Sequence, residues 1–308
     1  MRYTLRQLEI FVAISRLDSV SRASELLHLS QSATSTSLGE LERQFGLQLF
    51  DRIGKSLSIN ESGKKLLPKA IELLDRAKEI ESELSGLAGL GEMHIGATLT
   101  IGNYLTNLLV AKFLKTYPGS NIKLQVQNTK TIIQKIINNE IDLGMIEGDC
   151  DHPDLEVKPW IADELAIFSA PDHPLAKEKN ISIDKLYKQA WVLREKGSGT
   201  RETFDRVFGK NQKNMTIRLE LEHTEAIKRA VESGIGIGCI SRLALKDEFK
   251  RGNLVALDVK SIKLDRYFYF LWHKSKYQAN GIKQFLIMCN DMTAGLERSD
   301  QINLPIII

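Results

Sequence analysis

Apolar residues along the first sixty positions recur at helical intervals and then switch to alternation. Leu5, Leu8, Phe11 and Val12 predict an amphipathic helix. Ser19 or Ser21 can cap a second, short helix whose stripe is Ala23, Leu26 and Leu27. After a break at His28-Leu29-Ser30, the residues Ala33, Leu38, Leu41 and Phe45 outline a third helix. It stops at Gly46, because glycine accepts the left-handed turn that closes a helix. Residues 49–59 alternate around Gly54, the pattern of a β-ribbon. Short helices across a tight turn, followed by a ribbon, are the order of a winged helix-turn-helix over residues 1–60.

Residues 61–90 carry a different period. Leu66, Ala70, Leu73, Ala77, Ile80, Leu84 and Leu87 are spaced alternately by four and three, an a/d seam flanked by Lys, Arg and Glu. A lone helix with such a seam leaves apolar surface in water, so a linker helix that pairs with a second copy is expected. Pro68 falls early enough to be tolerated, and Gly86, Gly89 and Gly91 end the segment.

From residue 91 to 308 short apolar strands alternate with helices. Strands are expected at Met93–Ala97, Ile122–Val126 and Leu143–Glu147, with helices through Leu105–Phe113 and Thr131–Asn138 between them. A second unit begins near Glu164–Ala170. It continues through strands at Trp191–Arg194, Ile217–Glu222 and Ile235–Ile240 and helices at Thr200–Phe208 and Thr224–Ser233. The strand Tyr267–Trp272 and the helix Ile282–Met292 return the chain to the first unit. Repeated βαβ units give parallel sheets with right-handed crossovers. The fold class is therefore an α/β body of two lobes (91–162 with 268–300, and 163–267) behind an all-α winged helix and a linker helix. The apolar tail Ile302–Ile308 fits either an edge strand or disorder.

Bulk properties narrow the function. At 308 residues the chain needs two or three folding units. No run reaches the ~18 apolar residues of a membrane span, and Arg6 and Glu9 interrupt any early signal-peptide core. No membrane partner and a cytoplasmic location are the expectation. Cys150, Cys239 and Cys289 are odd in number and widely spaced, which predicts core residues rather than disulfides or zinc ligands. The net charge of +3 is a weak signal, and residues 1–60 hold seven Lys/Arg against six Asp/Glu. A nucleic-acid reading must rest on pattern.

That pattern is specific. Gln31, Ser32, Thr34, Ser35 and Thr36 are short donors and acceptors that let the third helix approach bases and phosphates. Arg52 and Lys55 on the ribbon would face the DNA backbone. Ser19, Ser21, Arg22 and Ser30 complete the candidate DNA-binding set. The runs Phe11-Val12-Ala13, Ser21 to Leu27, Leu29 to Ser35, Leu41-Glu42, Leu49-Phe50-Asp51-Arg52 and Glu61-Ser62-Gly63 resemble the N-terminal signature of the LysR-type transcriptional regulators. One departure is Thr36, where many members carry Arg or Gln. The two-lobed half resembles the periplasmic-binding-protein-like effector domain of the same family, so the resemblance spans nearly the whole chain. It implies double-stranded DNA, a dimer or tetramer of the chain itself, RNA polymerase and a small-molecule effector as partners, with no cofactor.

Ligands of such sheets bind beyond strand C-termini, where helix N-termini point. Residues 97–103 with Thr98 and Thr100, and residues 194–201 with Arg194, Ser198, Thr200 and Arg201, lie at such places and could hold a small anion. Glu147 faces the same mouth and would repel an anion unless protonated or bridged. Together with Glu225-Ala226-Ile227-Lys228 and residues 234–242, these segments resemble the sulfur-assimilation and sulfite-response branch. That resemblance implies Thr98, Thr100, Ser198 and Thr200 as the oxyanion contacts.

Three other motifs fail on context. Gly234-x-Gly236-x-Gly238 precedes a strand rather than opening a helix. His152, His173, His223 and His273 have no metal-ligand spacing. Gly197-Ser198-Gly199 is not a nucleophile elbow. No acid/base constellation supports an enzyme. The expected function is a ligand-responsive transcription factor, in which the effector changes how the oligomer binds or bends promoter DNA. The alternative is a small-anion binding protein with an accessory N-terminal dimerisation domain.

Overall fold

The computed structural model describes residues 2–53, 56–84, 90–209, 215–260 and 262–303. Three helices open the chain: α1 (Leu5–Leu17), α2 (Val20–Leu26) and α3 (Gln31–Phe45). Each begins on a hydroxyl, since first-turn N–H groups have no helical acceptor. Thr4 accepts the Gln7 N–H at 3.2 Å, Ser19 that of Arg22 at 3.3 Å and Ser30 that of Ala33 at 3.1 Å. The ribbon follows as antiparallel β1 (Phe50–Ile53) and β2 (Ser56–Ile59). Phe11, Ile14, Ala23, Leu38, Leu41 and Phe50 form the core. The expected stripes need correcting at Leu5, Ala33 and Phe45, which are exposed, and at Leu26, which is 61% exposed. In α2 the buried face centres on Ala23 and Ser24, and Leu26 lies about 200° around the helix from Ser24.

Helix α4 (Glu61–Leu84) runs unbroken through Pro68, which lies beyond the first turn and forgoes the bond to the Lys64 carbonyl. The seam expected on it divides. Leu66 and Ala70, with Leu67, Ile71 and Leu74, join the winged-helix core of their own chain. This corrects the reading of Leu66 and Ala70 as free for a partner helix. A three-helix domain this small completes its core by taking the first turns of α4. Leu73, Ile80 and Leu84 stay 36%, 57% and 83% exposed, Ala77 is half-buried, and Leu87 lies outside the described residues.

The remaining chain builds one nine-stranded sheet. Lobe I holds parallel β3 (Glu92–Thr98), β4 (Asn121–Gln127) and β5 (Leu143–Glu147). Its helical segments are α5 (Leu99–Ile101), a π-helical turn Gly102–Thr106, α6 (Asn107–Thr116) and α7 (Thr129–Ile137). A 15-residue strand, β6 (Leu155–Ser169), leads out of it. Lobe II holds α8 (Ile183–Tyr187), β7 (Ala190–Arg194), α9 (Gly199–Phe208), β8 (Thr216–Leu221), α10 (Thr224–Glu232), β9 (Ile237–Ser241), α11 (Arg242–Arg251) and β10 (Val255–Ala256). Strand β11 (Asp265–His273) returns to lobe I, and α12 (Asn280–Thr293) packs on it. Thus β6 and β11 run through both lobes and pair antiparallel. The boundaries expected at 162/163 and 267/268 fall inside these two strands, and α8, α11 and β10 went unanticipated. Ile302 is buried and residues 304–308 lie outside the described set. Cys239 and Cys289 are core residues as expected, whereas Cys150 is only half-buried at the edge of the core, and burial pushes the Cys239 thiol up to about 12.

Candidate functional site

On the winged helix the polar face of α3 separates into two sets. Gln31, Ser32, Ser35 and Thr36 are exposed along one side. Thr34 is fully buried and donates its hydroxyl to the Ser30 carbonyl at 3.0 Å. It is a structural threonine and corrects the expectation of a DNA contact there, because position 34 lies one turn before Leu38 on the core side. Ser19 and Ser30 are spent as helix caps, although Ser30 also exchanges a hydrogen bond with Ser32 at 3.0 Å. Ser21 is half-buried and accepts the Ser24 hydroxyl at its carbonyl. Arg22 reaches back to the Leu17 carbonyl at the end of α1. Lys55 and the Arg52 side chain lie outside the described residues.

The second site is the cleft between the lobes. Parallel β3 and β5 bring their C-terminal ends, Thr98 and Glu147, side by side. The Glu147 carboxylate is buried, and each of its oxygens takes a hydroxyl: Thr98 donates to Oε2 and Thr100 donates to Oε1 at 2.9 Å. The two threonines expected to be free for a ligand therefore hold a carboxylate of the chain itself. Lobe II closes directly on this strand end. A Cβ on Gly199 would overlap the Glu147 carbonyl, and one on Gly148 would lie 3.1 Å from the Gly199 Cα. Only glycine permits that approach. Across the same gap the Gly199 N–H donates to Thr129 at 3.0 Å and the Lys130 N–H to the Gly197 carbonyl at 3.2 Å.

Ser198 caps α9 by accepting the Arg201 N–H at 3.2 Å. Thr200 accepts from Arg266 Nη1 at 2.9 Å. Each hydroxyl is used as an acceptor and keeps its hydrogen to donate. The two lobe II arginines behave differently from each other. Arg201 is held through Nε by Asp205 at 2.8 Å and through Nη1 by Glu220 at 2.7 Å and the Arg194 carbonyl at 2.9 Å. Burial alone would lower its pKa, but the Glu220 and Asp205 hydrogen bonds raise it. It is a pillar under α9, which corrects its expected role as a ligand contact. Arg194 is buried and its Nε and Nη2 pair with Glu195 at 2.8 and 2.9 Å, while Nη1 has no hydrogen-bond partner.

Sequence reasoning missed the pair that anchors the cleft floor. Asp163 on β6 accepts from Arg266 Nε on β11 at 2.7 Å, from Ser241 at 2.7 Å and from Ser299 at 2.5 Å. Arg266 Nη2 is buried without a partner. The signal was in the alternation: Arg266, Phe268, Phe270 and Trp272 share the buried face of one strand, as do Ile161, Asp163 and Leu165 of the other. Also missed were two contacts across the cleft. Tyr104 of the π-helical turn donates to Glu225 of α10 and lies under Lys228, whose Nζ is 5.3 Å from the ring centroid; Arg206 pairs with Asp149. Burial first, and then the Glu225 hydrogen bond, push the Tyr104 hydroxyl up; burial would also raise Glu225, but Lys228 and Tyr104 outweigh it and bring it down. The cleft offers hydroxyl, amide and guanidinium donors around the Glu147 carboxylate. Among the described residues no His/Cys/Asp/Glu group could hold a metal ion, and no helix is long and apolar enough to cross a membrane.

Comparison with known proteins places this architecture. Residues 5–64 match the model of the bacterial regulatory helix-turn-helix proteins of the lysR family, and residues 89–294 match the LysR substrate binding domain. The transcriptional regulator YeiE of Escherichia coli (strain K12), itself uncharacterized, is 39% identical over 94% of this chain and 98% of its own. The regulatory domain of Synechocystis PCC6803 CcmR in complex with 2-PG is 32% identical, with a TM-score of 0.63 over 67% of this chain and 99% of that one. A full-length OxyR variant from Pseudomonas aeruginosa shares the fold at a TM-score of 0.71 and 21% identity, covering 94% of this chain and 95% of that one. The relatives are named as regulators of transcription rather than enzymes. The chain belongs to the LysR-type transcriptional regulators, and is a ligand-responsive DNA-binding regulator with its helix-turn-helix ahead of an effector-binding domain.

Proposed function

We propose that the effector is a small anion, bound between the lobes by Thr98, Thr100, Ser198, Thr200 and Arg194, with Glu147 as the group it displaces. One observation carries this reading: the Thr98 and Thr100 hydroxyls already bind a carboxylate, so the site is built around an anionic acceptor. Ser198 and Thr200 add hydroxyl hydrogens from the facing lobe, and the free Nη1 of Arg194 adds charge. The sulfur-assimilation and sulfite-response branch is the finer assignment that the cleft motifs support. A thermal-shift series with sulfate, sulfite, thiosulfate, acetylserine, small carboxylates and 2-PG tests it. A ligand that binds only the folded form at a hundred times its Kd stabilises by about 2.7 kcal/mol. Thr98→Ala with Ser198→Ala is expected to remove that shift while DNA binding survives. A shift that persists in the double variant sinks the pocket.

The DNA-reading face is Gln31, Ser32, Ser35 and Thr36, with Arg22, Arg52 and Lys55 toward phosphates. The chain acts in the cytoplasm as a dimer or tetramer, through Leu73, Ala77, Ile80, Leu84 and Leu87, and engages RNA polymerase. Consistent with the dimer is an apolar cavity of about 360 Å³ between the winged helix and α4, lined by Tyr3, Leu41, Phe45 and Leu47 and reaching Leu73 of the seam. The division is winged helix 1–60, linker 61–90 and effector domain 91–308. Effector binding changes lobe closure, and the linker passes that change to the paired winged helices and the bend of the DNA. Binding to one palindromic site with a steep loss of affinity in salt is expected, and equal affinity for random DNA would count against it.

A further inference from the structure

One turn of α4 and the end of α1 rest on lobe I. Glu79 Oε1 accepts the Asn280 N–H at 2.7 Å, at the start of α12, and Glu79 Oε2 accepts the Tyr277 hydroxyl at 3.1 Å. The Arg76 guanidinium lies over the same tyrosine ring, 4.3 Å from its centroid. Next to this tyrosine, Lys276 is 8% exposed and pairs with Asp142, whose Oδ2 accepts the His94 N–H at 2.7 Å. From the winged helix, Arg16 donates to the Asn139 carbonyl at 3.1 Å.

All the lobe I partners sit at one end of two strands. Asn139 and Asp142 lead into β5, while Lys276 and Tyr277 follow β11. These strands are hydrogen-bonded neighbours, in register from Phe268 opposite Glu147 to Leu271 opposite Gly144. Their other ends carry Glu147 and Arg266, both in the cleft. Five residues of strand span about 17 Å, and a paired strand inside a sheet does not stretch. Lobe II touches that far end through Gly199 on the Glu147 carbonyl.

We propose that Arg16, Arg76 and Glu79, with Asn139, Tyr277 and Asn280, form a clasp that positions the DNA-binding domain on its own effector domain, and that β5 and β11 couple the clasp to the cleft. The coupling rests on the cleft being the effector site; the clasp itself does not. Lobe movement at Glu147 shifts the strand ends that hold the linker helix, so one protomer carries its own transmission between ligand and DNA. Arg76 and Glu79 are positioning residues, because they hold Tyr277 and Asn280 and do not reach the cleft.

The test uses the full chain with a fluorescent donor and acceptor on Glu25→Cys and Lys115→Cys, in a Cys150→Ser background. Cys239 and Cys289 are buried and stay unlabelled. Labelled protomers are diluted into unlabelled ones, so that energy transfer reports one chain. The parent is expected to show one docked population. Arg76→Ala with Glu79→Ala is expected to add a second population and lower the docked-to-undocked ratio at least about tenfold. An unchanged distribution overturns the clasp. For the coupling, Glu147→Gln is compared in two backgrounds. In Tyr277→Phe, which weakens the clasp, it should move the ratio by about fivefold or more. In the Arg76→Ala, Glu79→Ala background it should have little effect. Equal effects in both, or none in either, overturn the coupling. Failure of every anion in the thermal-shift series would remove the effector reading without touching these populations.

Discussion

Asp163 and Arg266 show how single residues fix the cleft. Both side chains are almost wholly removed from water, which is tolerable because each ion is paired and Asp163 takes two further hydroxyls. Removing one partner strands the other charge. Asp163→Ala is therefore expected to destabilise the effector domain by about 3–5 kcal/mol, measured by urea denaturation. Thr100→Val takes away one of the Glu147 donors with little change of shape, and about 1–3 kcal/mol is expected. A loss as small as that of an exposed Ser→Ala in either variant would mean that water replaces the missing partner. Arg266 and Asp163 escaped motif-based reasoning because the residues that bring them together, on β6 and β11, are about a hundred apart in sequence. Thr98, by contrast, ends its strand and Thr100 lies just beyond it, so both could be placed by the rule of strand ends.

At the level of elements, period and caps carried most of the information. Strand Leu143–Glu147 has the limits its apolar run implied, and α9 starts one residue from its expected position. Short segments such as α8 were not legible, since five residues give too little periodicity to separate a turn from a helix. The seam of α4 was legible as a stripe but not as two stripes. Intramolecular and intermolecular burial use the same spacing, and only the fold shows that Leu67, Ile71 and Leu74 extend the stripe toward the winged helix. The two halves should respond differently. Ile71→Ala is expected to cost the winged-helix domain about 2–5 kcal/mol and lower its melting temperature. Ile80→Asp with Leu84→Asp should leave that melting temperature alone and halve the mass measured by light scattering. A dimer that survives the second pair of changes would place the interface elsewhere.

The whole molecule brings a titratable group to the joint between its domains. Asp75 lies on α4, one residue before Arg76 of the clasp, and its carboxyl is held above the ordinary value of 3.8 by burial first. Asp142 pushes in the same direction, while Lys276, Lys78 and Arg16 oppose it. For Asp142 itself burial also acts upward, but Lys276 and the His94 N–H outweigh it and its value falls. The sign for docking follows from Asp75. When α4 leaves lobe I, Asp75 regains water and its pKa drops toward 3.8, so undocking releases a proton. The docked arrangement is then favoured as pH falls toward the undocked value of 3.8, loses that advantage as pH rises through the raised docked value, and gains nothing more once the undocked group is protonated too. Energy transfer between the same two labels reads this directly. Asp75→Asn should flatten the dependence, because the amide carries no proton to release. Below 3.8 protonation of Asp142 works against the fold by freeing Lys276, so the measurement belongs above that value. A dependence that is equally steep in Asp75→Asn would show that Asp75 is not its source, and would separate the geometry of the clasp from its response to protons.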